Sequence, residues 1–228
     1  MQNLYWCEHC NIPVYEEKCP LCHNMTGYFA KDARPVFPEE VILLEVLLHK
    51  KGELRGKSVW NSKGNKYFVD GQKLEFSVEK TILEWDADLA HRLYMNEIKS
   101  VDYDSFNEMI EKFIKANSSR LQKLEYDSME LIKKVSERYS NRIKMVSFSG
   151  GKDSTVVSSL VRRALSTSNV LHVFGNTTLE FPLTEQYIRD FRRYHRRVPF
   201  LISKSERDFF EISQTIGPPS RVMRWCCT

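Results

Sequence analysis

The sequence predicts an α/β protein: a parallel sheet with covering helices in the C-terminal part, preceded by a small cysteine-rich ribbon and an α+β region. Three observations predict it. Residues 143–214 alternate apolar runs of strand length with helical patterns, as parallel strands joined by crossover helices require. Between the apolar run 143–148 and the helical pattern 155–166 stands Ser149-Gly150-Gly151-Lys152-Asp153-Ser154. Near the N-terminus are two Cys-x-x-Cys pairs, Cys7 with Cys10 and Cys19 with Cys22. The expected division is a ribbon over 1–30, an accessory α+β region over 35–140 and a nucleotide-binding domain over 141–228.

Composition sets outer bounds. The 228 residues are 42% hydrophobic, enough for one or two cores plus an appendage. The longest aliphatic run, Val41-Ile42-Leu43-Leu44, is far too short to span a bilayer, so no membrane role is expected. The N-terminus has no basic stretch leading into an apolar one, which argues against secretion and for a cytoplasmic protein with six reduced cysteines. A net charge of +4 permits anionic partners without itself arguing for nucleic acid.

Paired Cys-x-x-Cys spacing suits a tetrahedral zinc site, because each pair forms a tight turn whose N–H groups hydrogen-bond the sulfurs. An iron site or a redox pair is the competing reading, and His9 or His23 could substitute as a ligand. Thirty residues hold too little apolar area to fold alone, so the metal is expected to hold the ribbon together.

Arg34-Pro35-Val36-Phe37-Pro38 reads as a linker, with Pro38 opening a helix around the apolar run 41–48 and Gly52 beyond its end. Segments 57–61, 66–70 and 73–79, with a tight corner at Asp70-Gly71, predict a three-stranded antiparallel meander whose Leu74, Phe76 and Val78 face a core. Residues 105–139 read as two helices broken at Asn117-Ser118-Ser119. Ser105 with Glu108, and Ser119 with Gln122, have capping-box spacing.

A strand ending in two glycines that feeds a helix N-terminus gathers unpaired N–H groups around one concavity, where an anion gains hydrogen bonds and the helix dipole together. Lys152 adds a charge there, Ser149 and Ser154 offer hydroxyls, and Asp153 is expected to cap the helix. Ser147 and Thr155 flank this phosphate loop. The Walker A spacing is absent, which sets the loop apart from that class. The following alternation places strands at 170–174 and 198–202 and helices at 183–194 and 206–214. Asn176-Thr177-Thr178 then lies at the carboxyl end of the second strand, where such sheets bind ligands.

Ser149 to Ser154, Asn176-Thr177-Thr178-Leu179-Glu180-Phe181-Pro182 and Arg224-Trp225-Cys226-Cys227 together resemble the phosphoadenylyl-sulfate (PAPS) reductase family of PP-loop proteins. The resemblance covers about 143–228, and the ribbon, meander and helices look like the front end of a prokaryotic, especially archaeal, subgroup. It implies ATP or phosphoadenylyl sulfate as ligand, bound by Ser147, the loop 149–155, Asn176, Thr177 and Arg224. It implies catalytic roles for Lys152, Asp153, Cys226 and Cys227. In the family the second loop commonly reads Asp-Thr-Gly followed by Phe-Pro-Glu-Thr, whereas Asn176, Thr178 and Leu183 stand here at the Asp, Gly and Glu places. The pair Cys226-Cys227 resembles one that helps ligate a [4Fe-4S] cluster with a later Cys-x-x-Cys. A reduced thiol pair or a substrate-site thiol are the other readings, and the resemblance implies a domain incomplete at its C-terminus.

Arg189, Arg192, Arg193, Arg196 and Arg197 recur at helical spacing with only Asp190 among them. The stripe is either a solvated face or a surface for the phosphates of tRNA or DNA. Arg221 and Arg224 are better placed for the anionic end of a small substrate. Three readings follow: a PAPS reductase-like oxidoreductase, an ATP pyrophosphatase that activates tRNA or DNA for sulfur insertion, and a zinc-ribbon adaptor that only binds nucleotide. A homo-oligomer stays open in all three.

Overall fold

The structure is a computed structural model that describes residues 3–101, 103–220 and 223. The chain divides into two compact units, 1–122 and 123–228. Arg221, Arg224, Trp225, Cys226 and Cys227 lie outside the described residues.

In the first unit, β1 (Leu4–Cys7), β2 (Ile12–Val14) and β3 (Gly27–Ala30) form an antiparallel sheet in the order β2-β1-β3. A second antiparallel sheet follows, in the order β4-β5-β6-β7: β4 (Arg34–Pro35), then, after the helix α1 (Pro38–Leu47), β5 (Val59–Ser62), β6 (Lys66–Val69) and β7 (Gln72–Lys73). The expected linker thus supplies an edge strand, where Pro35 is tolerated because one side of an edge needs no ladder donor.

The third strand of the meander is shorter than the alternation at 73–79 predicts. The strand ends at Lys73, with one further bond from the Leu74 N–H to the Tyr67 carbonyl at 2.8 Å, yet Leu74, Phe76 and Val78 all pack on Val36, Val41, Leu44, Leu54, Val59 and Tyr67. Alternation reports which side chains are buried; it does not report whether the backbone is paired. Ser77 then caps α2 (Val78–Glu84) and Asp86 caps α3 (Ala87–Glu97), each accepting from an N–H of the first turn.

The predicted break at Asn117 separates α4 (Asp104–Ala116) from α5 (Ser118–Arg138). Neither expected capping box forms, because α4 begins at Asp104 and α5 at Ser118, which leaves Ser105 and Ser119 inside the first turns. Asn117 is 3% exposed and donates from Nδ2 to the carbonyls of Pro13 (3.1 Å) and Phe113 (2.8 Å), while its Oδ1 accepts from the Tyr15 N–H (3.0 Å). The two sheets share an aromatic core of Trp6, Phe29, Trp60, Phe68 and Phe113, with centroids 5.1 Å apart for Trp6–Phe29 and 4.6 Å for Phe29–Phe68.

The second unit is the expected parallel sheet: β8 (Met145–Ser147), β9 (Leu171–Asn176) and β10 (Phe200–Lys204) in the order β10-β9-β8. The crossovers are α6 (Lys152–Ala164) and α7 (Pro182–Tyr194), and α8 (Phe209–Ile216) follows β10. Val146, Phe148, Val170, Phe174, Ile188 and Phe191 form its core. His172 is fully buried in the central strand. Its Nδ1 lies 2.8 Å from the Val170 carbonyl, which can only accept, so Nε2 accepts from the Ser158 hydroxyl at 2.8 Å. Burial holds this imidazole below the ordinary histidine range, in the neutral form.

Candidate functional site

The loop from Ser149 to Gly151, the start of the expected phosphate loop, joins β8 to α6. Gly150 has φ +76°, a conformation that favours glycine, and a Cβ there would crowd Ile188 Cδ1 at 3.1 Å and Thr184 Cγ2 at 3.3 Å. Gly151, extended at φ −80° and ψ 167°, is the N-cap residue of α6. Asp153 does not cap the helix: it sits at the second helical position, one residue past Lys152, and no side chain caps this terminus. Its carboxylate complements the helix dipole from the first turn instead.

The loop is wired internally. Ser149 Oγ donates to Ser154 Oγ (3.3 Å), and Ser154 Oγ donates to the Gly151 carbonyl (2.9 Å). Thr155 Oγ1 donates to that same carbonyl (3.0 Å), which leaves it to accept from the Tyr187 hydroxyl at 2.9 Å. The Ser149 and Ser154 protons are therefore committed within the loop and must turn outward to reach an anion. Ser147, Ser149, Gly151, Lys152 and Asp153 are exposed. Tyr187, which no sequence motif singles out, thus reaches this loop from α7 through its hydroxyl.

The second loop follows β9, so it shares the carboxyl end of the sheet with the phosphate loop. Asn176 Oδ1 accepts from the Thr178 N–H (2.8 Å), and Thr177 Oγ1 donates to Glu180 (3.1 Å). Thr178 has φ +68°, a left-handed conformation that β-branched residues rarely adopt. Its Oγ1 accepts from the Phe209 N–H at 2.7 Å, the first amide of α8.

The four N-terminal cysteines converge. Their sulfurs all lie within 4.8 Å of one another, with Cys7–Cys22 at 3.4 Å and Cys10–Cys19 at 3.8 Å. Ligands about 2.3 Å from a tetrahedral metal ion stand about 3.8 Å apart, so the set fits a metal such as zinc without either histidine. Both turns have one design: Asn11 (φ 57°) donates its N–H to the Cys7 carbonyl at 2.8 Å, and His23 (φ 61°) donates to that of Cys19 at 2.9 Å. Burial raises the Cys7 and Cys10 thiols above the usual range, whereas the Asn24 N–H lowers Cys22. A bound cation supplies the charge needed to ionise all four.

The arginine stripe is divided by the end of α7 at Tyr194, so Arg196 and Arg197 lie beyond the helix. Arg189 pairs with Glu185 (3.6 Å), Arg193 pairs with Asp190 (3.4 Å), and Arg192 lies over the Phe200 ring. Asp190 is therefore not the stripe's sole acidic neighbour.

Sequence comparison adds to this geometry. Residues 143–228 match the family model of the phosphoadenosine phosphosulfate reductase domain. The loop 149–154 and the Asn176 loop both fall inside the matched segment, as do Arg224, Cys226 and Cys227. The chain is also similar to two uncharacterized proteins of Methanocaldococcus jannaschii. One is 34% identical over 122 residues, which is 52% of this chain and 28% of the relative. The other is 33% identical over 124 residues, 54% and 25% respectively. The chain therefore spans about a quarter of the length of these relatives. No solved structure matches the chain. No helix among the described residues is long and apolar enough to cross a membrane.

Proposed function

We propose that the protein is a PP-loop enzyme of sulfur metabolism that binds ATP or a (phospho)adenylyl sulfate, with the phosphates or sulfate held in the loop from Ser149 to Ser154. The observation that carries this reading is Gly150. Its positive φ turns the chain into the α6 N-terminus beside Lys152, where the first-turn N–H groups of a helix favour an anion. Ser147, Thr155, Asn176 and Thr177 complete the nucleotide side of the site in this reading. Arg224, Cys226 and Cys227 serve its reactive end, as thiols or as ligands of a [4Fe-4S] cluster.

In the reductase version two thiols are oxidised to a disulfide as the sulfate of the nucleotide is reduced, and sulfite and the adenosine phosphate leave as products. In the adenylating version ATP activates an oxygen on tRNA or DNA for displacement by sulfur. The cysteine cluster, read as zinc, and the arginines near the end of α7 favour the second version, and the family of residues 143–228 favours the first. Reduced thiols in either version suit the cytoplasm.

Calorimetric titration with ATP and with PAPS tests the shared site. At least one should bind, and Lys152→Ala should weaken it by about 1.5–3 kcal/mol through loss of a charge-assisted hydrogen bond. Equal affinity of wild type and variant for both ligands removes Lys152 from the site. Sulfite release from PAPS or pyrophosphate release from ATP then separates the two versions, and neither product would leave a nucleotide-binding adaptor.

A further inference from the structure

The end of the sheet opposite the phosphate loop carries a second cationic feature. Here α6 and α7 finish and β9 and β10 begin, and a cleft of about 610 Å³ opens among Arg162, Ser168, Arg193, His195, Arg196 and Arg197. Helices of this length put it about 20 Å from the loop. We propose that this cleft docks the phosphodiester backbone of a nucleic acid, at a distance from the nucleotide site. The proposal names the partner of the adenylating version above, but its physical basis is the cleft alone.

Charge is the first argument. Among the described residues no carboxylate pairs with Arg162, Arg196 or Arg197; only Arg193 has an acidic partner, Asp190 at 3.4 Å. Arginine near a helix C-terminus is ordinary, since it complements a dipole end worth about half a negative charge. Two helix ends and one carboxylate still leave four guanidiniums with a clear positive excess. Arg196 and Arg197, past the last turn of α7, exceed what the dipole accounts for.

Preorganisation is the second. Arg162 is half-buried and held by neutral groups: its Nε donates to the Ser158 carbonyl (3.2 Å) and its Nη1 to His195 Nδ1 (3.3 Å). His195 therefore keeps its proton on Nε2, a second donor at the cleft. Burial, with the Arg162 charge, holds this imidazole neutral.

Shape decides between a polyanion and a small anion. The donors are spread over an open surface, wider than one phosphate needs. Tyr194, 73% exposed with Arg193 over its ring at 5.0 Å, presents an aromatic face to an unstacked base.

Fluorescence anisotropy with labelled single-stranded oligouridine and oligothymidine tests this on the 228-residue chain. Wild type should bind at least one at low salt. Replacing Arg193, Arg196 and Arg197 together by Gln should weaken binding about tenfold or more and flatten the log–log salt slope by about 2. The corresponding Lys triple variant should keep most of that slope, and Lys152→Ala should keep oligonucleotide binding while weakening that of the nucleotide. Absence of binding at low salt, or equal slopes for wild type and the Gln variant, overturns the proposal. Displacement by inorganic phosphate at matched ionic strength also overturns it, in favour of a small-anion site. Failure of ATP binding alone would count against the nucleotide reading and leave the cleft intact.

Discussion

Asn11 Nδ2 donates to Asp70 Oδ1 at 2.7 Å, joining the turn after the first cysteine pair to the hairpin corner between β6 and β7. The same carboxylate oxygen accepts from the Ser58 N–H at 3.0 Å. Asp70 (φ 48°) and Gly71 (φ 80°) are both left-handed, as a two-residue hairpin loop requires. Trp6, next to Cys7, covers Gly71 so closely that a Cβ would lie 2.3 Å from its Nε1. Residues on both sides of Cys7 therefore rest on this one corner, and the cysteine ribbon is fastened to the meander by packing as well as by any metal.

Asp70→Ala should destabilise the first unit by about 1–3 kcal/mol, because the buried Ser58 N–H loses its acceptor. Asp70→Asn keeps an acceptor and tolerates the left-handed conformation, so it should recover most of that loss. Gly71→Ala should cost roughly 4 kcal/mol or more, since Trp6 must move and the conformation is strained as well. Urea denaturation of the three variants ranks them; a neutral Gly71→Ala would show that Trp6 does not seat there.

The purified protein should contain one metal ion per chain at Cys7, Cys10, Cys19 and Cys22, and zinc is our choice of ion. Structural sites of this kind carry apparent binding energies of about 10–16 kcal/mol in small peptides, so chelation should be strongly destabilising here too. Cys10→Ser should abolish stoichiometric metal and lower the stability of the first unit, because Trp6 and Phe29 pack with Trp60. The nucleotide titration should be unchanged. Metal analysis and calorimetry decide this, and a metal-free wild type with an ordered ribbon would defeat it.

The sequence carries the strand-loop-helix at 143–166, the parallel alternation and the cysteine pairs, because each rests on local spacing or periodicity. Contacts across the fold are not written in spacing. Nothing local to Asp70 reveals Asn11, and nothing local to Tyr187 reveals Thr155. The Asp153 cap fails for a local reason all the same: with Gly150 left-handed, the chain turns into α6 at Gly151, two residues earlier than a cap at Asp153 needs. Arg196 and Arg197 fit helical spacing by number, but α7 has already ended.

Stability should fall as pH drops from about 7 toward 5. His172 is buried neutral with its folded pKa lowered by desolvation, and His195 is shifted the same way. A depressed folded value means that the contribution is fully present above the unfolded value of about 6.5 and is lost as protons bind preferentially to the unfolded chain. Ser158→Ala strips the hydroxyl from His172 Nε2 and should cost about 1–3 kcal/mol at pH near 7. Denaturation midpoints across this window test both statements; a flat profile would show that neither histidine is neutral and buried in the fold.

Thr178 joins strain to a cap, and the two can be separated. Its left-handed backbone costs on the order of 1–3 kcal/mol for a β-branched residue, while its Oγ1 satisfies the first amide of α8 at Phe209. Asp208 Oδ1 takes the next amide, Phe210, at 2.8 Å, so the α8 terminus depends on both side chains. Thr178→Gly removes the strain and the acceptor together and should change stability little. Thr178→Ala keeps most of the strain and loses the acceptor, so it should be about 1–2 kcal/mol less stable than wild type. Thr178→Ser keeps the acceptor with less crowding and should be at least as stable as wild type. Hydrogen exchange at the Phe209 amide gives an independent reading: it should quicken in the Gly and Ala variants and stay slow in Ser. If the Ala variant matches Ser in both measurements, the Thr178 hydroxyl does not hold α8.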